Sequence, residues 1–210
     1  MRAFSQDFQS ELYDLMKWRR DVRHFKPDPV DPELLRLCLD AFQMAPSVGL
    51  SEPWRIVSVS SLNARQKSLD NFKASNADAL VGYEEGQAEL YATLKLTGMR
   101  DAPIQLAIFC EEDTPKGSGL GAQTMPEMRR YSVVSAIMSF WLATRAYGLG
   151  LGWVSILDPV QLRTDLDLPD NWSLVAYLCV GWPKEETMTP ELETVGWEMR
   201  DAQLTKLLER

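Results

Sequence analysis

Between Arg130 and Arg145 the chain reads YSVVSAIMSFWLAT, 14 uncharged residues whose apolar side chains cover nearly every face of a helix from Val133 to Leu142. A helix that is apolar all round has no side to offer water, so other elements must pack around it. It is too short to cross a bilayer, which takes about 20 consecutive apolar residues, and Ser132, Ser135 and Ser139 interrupt it. The pattern predicts a central helix over 125–147, closed by Gly148 and Gly150.

The other elements are then read as its surroundings. IQLAIFC (104–110) and SLVAYLCV (173–180) are nearly continuous apolar runs, as expected of strands covered on both faces. WRIVSVS (54–60) and LGWVSIL (151–157) read as further strands. Helices are predicted over 7–18, over 32–45 behind the Asp31-Pro32 start and before the Pro46 stop, near Pro159, and in the tail. Residues 62–100 are polar and weakly periodic, which suggests a loosely packed helical lid or arm. Helices flanking a small buried sheet make an α+β fold, and 210 residues fit a single domain over 1–210.

With 22 Lys+Arg against 30 Asp+Glu, the net charge of -8 argues against nucleic acid as a partner. The acidic start MRAFSQDFQSELYDLM has no continuous apolar stretch of leader length, so the cytoplasm is the expected compartment. Cys38, Cys110 and Cys179 each lie in an apolar stretch without CxxC spacing, which predicts small core residues and no metal site. In the loop EEDTPKGSGLGAQT, the GSGLGAQ stretch lacks the lysine and following Ser/Thr of a phosphate-binding loop, and the spacing of a dinucleotide fingerprint is incomplete.

Three stretches remain as carriers of chemistry. Arg19, Arg20 and Arg23 in RRDVR repel one another unless an anion lies among them, and arginine suits bidentate phosphate recognition. Ala45-Pro46-Ser47-Val48-Gly49 closes a helix and leads through Glu52-Pro53 into a strand, placing the Ser47 hydroxyl in a fixed loop. Gly148, Gly150 and Gly152 precede Trp153, where missing side chains let backbone approach a flat ligand, and Ser155 follows as a lone hydroxyl in an apolar strand. Taken singly, each also fits a plain structural role: a solvated turn, a helix stop, a hydroxyl bonded to a neighbouring carbonyl.

In this order and at this spacing, from about residue 8 to about residue 200, the three stretches resemble the nitroreductase-like flavoprotein family, with its RRSxRxF, APSxxNxQPW and GLGxxW segments. Asp21 in place of Ser, Trp54-Arg55, Leu94-Lys95-Leu96 before APIQLA, and GWVSILDP resemble the branch of that family that destroys its flavin. The resemblance implies a mostly antiparallel sheet and a homodimer with FMN sites at the interface. It implies that Arg19, Arg20, Asp21, Val22 and Arg23 line the FMN, that Ser47 reaches it from the other subunit, and that Leu96 meets it from a lid. Ser155 would lie by the reactive side of the ring and Arg200 would bind the phosphate. The implied reaction uses dioxygen to fragment reduced FMN into a substituted benzimidazole and a sugar phosphate, with a separate flavin reductase supplying the FMN. Asp21 is then the candidate general base and Ser155 the hydroxyl that orients the ring. Leu50 and Glu52 depart from the Asn and Gln of nitroreductases, and Glu52 has no assigned role. An NAD(P)H-dependent reductase that recycles FMN, or a non-catalytic FMN binder, remain the alternatives. His24 is expected to be structural, while Trp54, Trp153 and Trp197 flank the proposed site.

Overall fold

The computed structural model describes residues 3–83, 87, 89–91 and 97–201. Among them, four antiparallel strands, β1 (Trp54–Ser58), β2 (Ile104–Glu111), β3 (Gly150–Val154) and β4 (Trp172–Gly181), form a sheet in the order β1-β2-β4-β3. The two continuous apolar runs are the two inner strands, as covering both faces requires. Leu106, Ile108, Leu178 and Val180 pack one face against Val133, Ile137 and Phe140 of the central helix Met128–Ala146. Ala107, Phe109, Tyr177 and Cys179 pack the other against Phe25, Met99 and Leu162. All three cysteines are buried and free. No helix among the described residues is long and apolar enough to cross a membrane.

The central helix ends as its glycine predicts. Gly148 takes φ 79° and its N–H donates to the Arg145 carbonyl, while the Leu149 N–H donates to Thr144, turning the chain directly into β3. One face of this helix is not enclosed by its own chain: Tyr131, Val134 and Met138 are 55, 41 and 42% exposed. Periodicity identifies apolar positions but not the element that covers them.

Three boundaries differ from expectation. The helix begun by Asp31 is α-helical only over Pro32–Leu39 and tightens to a 3-10 turn over Asp40–Met44, because Pro46 biases Ala45 to an extended conformation. β3 stops at Val154, so Ser155 lies past the strand rather than in it. The helix Leu62–Val81 opens the segment expected to be loose, yet Ser68 and Asn71 on it are buried. The Asn71 amide donates to the Asp158 carbonyl at 3.0 Å and accepts from the Asp158 N–H at 2.8 Å, while Ala64, Leu69 and Phe72 join the second core. Its polar composition conceals a core layer whose buried amide is satisfied. Leu96 and the end of the tail lie outside the described residues; the described tail contains the short helix Glu191–Thr194.

Candidate active site

The first helix, Gln6–Trp18, delivers the chain to the free edge of β3. There the Val22 N–H donates to the Leu151 carbonyl at 2.9 Å and Asp21 forms a parallel bridge with Leu151. The glycines of β3 make this docking possible. A Cβ on Gly152 would stand 2.1 Å from the Val22 carbonyl oxygen, and one on Gly150 would stand 2.8 Å from Val22 Cγ2. They therefore admit a neighbouring segment of chain, not the flat ligand expected from the sequence. The docking also fixes Asp21, whose Oδ1 accepts the Trp153 N–H at 2.8 Å.

Around Asp21 the arginines are crowded. Arg19 lies over the Trp141 ring at 4.6 Å. Arg20 donates to the carbonyls of Arg19 and Met188. Burial pulls both guanidiniums below the usual arginine range, and Arg200, arriving from the far end of the chain, lowers them further. The Nε of Arg20 and the Nε and Nη1 of Arg23 are buried without a hydrogen-bond partner among the described residues. Orphaned N–H donors beside crowded like charges suit an anionic, acceptor-rich ligand. Arg23 Nε stands 3.8 Å from Asp21 Oδ2 and 3.7 Å from Glu191 Oε2. Burial raises the pKa of Asp21; the Trp153 N–H, Arg23 and Arg19 oppose the rise, and Glu191 adds to it.

Arg20, Asp21, Arg23, Trp141 and Glu191 meet at a cavity of about 460 Å³ that Trp18, His24 and Arg145 also line, whereas Arg19, Ser155 and Arg200 do not line it. Its size falls in the range of small-molecule sites, about 300–1,000 Å³. Val22 reaches its wall but spends its side chain on the β3 glycines. Arg200 is placed by Glu193, whose Oε1 accepts the Arg200 N–H at 3.0 Å. Ser155 is exposed two residues beyond Trp153, and its hydroxyl makes no hydrogen bond among the described residues, so the carbonyl-bonded alternative does not apply.

Ser47 is not brought to this cavity. It precedes β1, at the opposite edge of the sheet from β3, and three strand spacings amount to about 14 Å. Its Oγ accepts the Glu52 N–H at 3.1 Å. Leu50 and Glu52 both take left-handed φ, 56° and 42°, and Glu52 pairs with Lys116, giving the residue without an assigned role a structural partner. His24 is held by Thr97 Oγ1 at 3.1 Å from its Nδ1. Of the three tryptophans expected at the site, Trp153 adjoins it through its N–H on Asp21. Trp54 packs on Phe42, and Trp197 packs on Tyr83 and Tyr91. Trp141 and Glu191 escaped sequence reasoning, one as a core position of an apolar helix and the other inside an acidic run.

The sequence pattern of the nitroreductase family matches residues 16–182. The chain is 52% identical over 197 residues to a 5,6-dimethylbenzimidazole synthase of Rhodospirillum rubrum, covering 94% of this chain and 93% of the relative. It is 45% identical over 195 residues to a protein of the same name from Rhodobacter capsulatus, covering 93% and 94%. The structure of oxidized iodotyrosine deiodinase bound to FMN and 3-iodo-L-tyrosine shares the fold, with a TM-score of 0.76 at 23% identity over 95% of this chain and 100% of that one.

Proposed function

The chain belongs to the nitroreductase family, and from that premise we propose that it is a 5,6-dimethylbenzimidazole synthase that consumes reduced FMN with dioxygen. The observation that carries this reading is Asp21 itself. A half-buried carboxylate, its side chain 39% exposed, is fixed by the Trp153 N–H among Arg19, Arg20 and Arg23, in a chain 52% identical to a protein of that name. Reduced FMN, as substrate, supplies the electrons for dioxygen and leaves as 5,6-dimethylbenzimidazole and D-erythrose 4-phosphate, with the pyrimidine remainder of the ring released as a third fragment.

The protein's part is to bind, orient and move a proton. Arg19, Arg20, Arg23 and Arg200 hold the phosphate and the anionic edge of the ring, which gives acceptors to the orphaned donors of Arg20 and Arg23. Breaking the ribityl chain requires a proton acceptor, and general-base catalysis contributes about 10²–10⁴-fold. Asp21 has the position and, with its pKa raised by burial, greater basicity than an ordinary carboxylate. Ser155 brings an uncommitted hydroxyl from the end of β3.

A second copy of the chain completes the site. In this reading a homodimer covers the exposed Tyr131, Val134 and Met138, and Ser47, which lies at the opposite edge of the sheet from the cavity of its own chain, serves the site of the other subunit. A separate flavin reductase supplies the reduced FMN, and the reaction takes place in the cytoplasm.

Asp21→Asn tests the assignment. The variant keeps FMN affinity and loses product; full product formation by it would remove Asp21 from the mechanism. Turnover of NAD(P)H with FMN recovered intact would instead identify a recycling reductase.

A further inference from the structure

We propose that Glu191 is a positioning residue of this site: from across the cleft it holds Arg23 midway between two carboxylates and so prevents Arg23 from closing on Asp21. The inference rests on the reading of Asp21 as the base. Arg23 Nε is 3.7 Å from Glu191 and 3.8 Å from Asp21, within ion-pair range of both and hydrogen-bonded to neither. The Arg23 side chain is only 11% exposed, so water offers its Nε and Nη1 little compensation. Without an opposing carboxylate, the lowest-energy arrangement for such a guanidinium is a hydrogen-bonded pair with Asp21. That pair would occupy the Asp21 lone pairs and make the carboxylate a poorer base.

Glu191 is built into its place. It begins the short helix Glu191–Thr194, whose Glu193 and Thr194 N–H groups both donate to Pro190, and the Trp197 N–H donates back to Leu192 at 2.8 Å. The same turn carries Glu193, which accepts the Arg200 N–H. One turn thus contacts two of the arginines near Asp21, Arg23 through charge and Arg200 through its backbone.

Asp21 is faced by groups from every element around it. Arg19 and Arg23 come from its own segment, the Trp153 N–H from β3, Cys179 from β4 and Glu191 from the short helix. Cys179 is buried with its thiol pushed up to about 12, so it is neutral near pH 7. Glu191 is the carboxylate that raises the Asp21 pKa alongside burial.

The test uses the full-length chain with Glu191→Gln, an isosteric change at a side chain 34% exposed. Production of dimethylbenzimidazole from reduced FMN in air is followed against pH, and the Asp21 carboxyl is titrated separately by carbon-13 NMR or difference infrared spectroscopy. The expected result is that the acidic limb of the rate profile and the Asp21 titration both move down by about one pH unit. The plateau rate falls severalfold. Glu191→Asp recovers part of the wild-type profile. An unmoved Asp21 titration overturns the inference. If Asp21→Asn makes full product, the reading of Asp21 as base fails on its own, and the titration still decides whether Glu191 holds Arg23 away.

Discussion

Gly152→Ala tests whether the arginine segment is seated by the glycines of β3. The added Cβ would stand 2.1 Å from the Val22 carbonyl oxygen, so the segment must retreat by about 1.3 Å to restore ordinary contact. Gly152 does not occupy the left-handed region, so the clash is steric and not a matter of backbone strain. The cost is capped by what holds the segment. The Val22–Leu151 hydrogen bond contributes about 0.5–1.5 kcal/mol and the charged Trp153–Asp21 bond about 1.5–3 kcal/mol. Beyond roughly 3 kcal/mol the segment lifts away instead of straining further, in line with overpacking penalties of about 1–3 kcal/mol. For a chain of this size that lowers the melting temperature by about 6–12 °C. FMN affinity falls about a hundredfold, since roughly 3 kcal/mol of placed contacts corresponds to two factors of ten. Differential scanning calorimetry and FMN fluorescence quenching measure the two effects. Gly150→Ala serves as a control, because its first contact is Val22 Cγ2 and Val22→Ala relieves much of it; no side-chain change relieves the Gly152 clash with a carbonyl. A Gly152→Ala protein that melts within about 2 °C of wild type and binds FMN normally would refute the reasoning.

Asp21→Asn should stabilise the ligand-free protein near pH 7. Burial raises the folded pKa of Asp21 above its unfolded value, so the folded state binds that proton more tightly. The resulting penalty is full above the folded pKa and is relieved as pH falls through it; a lower melting temperature for the variant at pH 7 would contradict this. Ser155→Ala should cut product formation about tenfold or more while leaving the melting temperature unchanged, because the hydroxyl is exposed and unbonded. Unaltered product formation would remove Ser155 from the mechanism. Val134→Asp places a charge in the exposed apolar stripe of the central helix. It should give monomers by sedimentation with weakened FMN binding, and a dimer of normal FMN affinity would contradict the proposed second-subunit contribution.

What was legible in the sequence was mostly burial. The runs IQLAIFC and SLVAYLCV could lie only in the middle of a sheet, and Gly148 could only end a helix. The helix with apolar side chains all round was recognised as central, but its exposed Tyr131, Val134 and Met138 were not, because a periodicity does not say which chain supplies the cover. The arginine cluster announced an anion by its own repulsion. The β3 glycines were misread because close approach looks the same whether a ligand or Val22 makes it. Asn71 was hidden by its polarity, since only the reciprocal bonds with Asp158 reveal that it belongs to a packed layer. Glu191 was indistinguishable from a solvated acidic tail until the fold set it 3.7 Å from Arg23.

The central claim is that the flavin held by these arginines is consumed. The direct measurement is a flavin balance: chemically reduced FMN is given to the purified protein, air is admitted, and flavin and products are quantified together by mass spectrometry. The account predicts loss of FMN matched by equimolar 5,6-dimethylbenzimidazole and D-erythrose 4-phosphate. Quantitative return of the FMN in its oxidised form would contradict it.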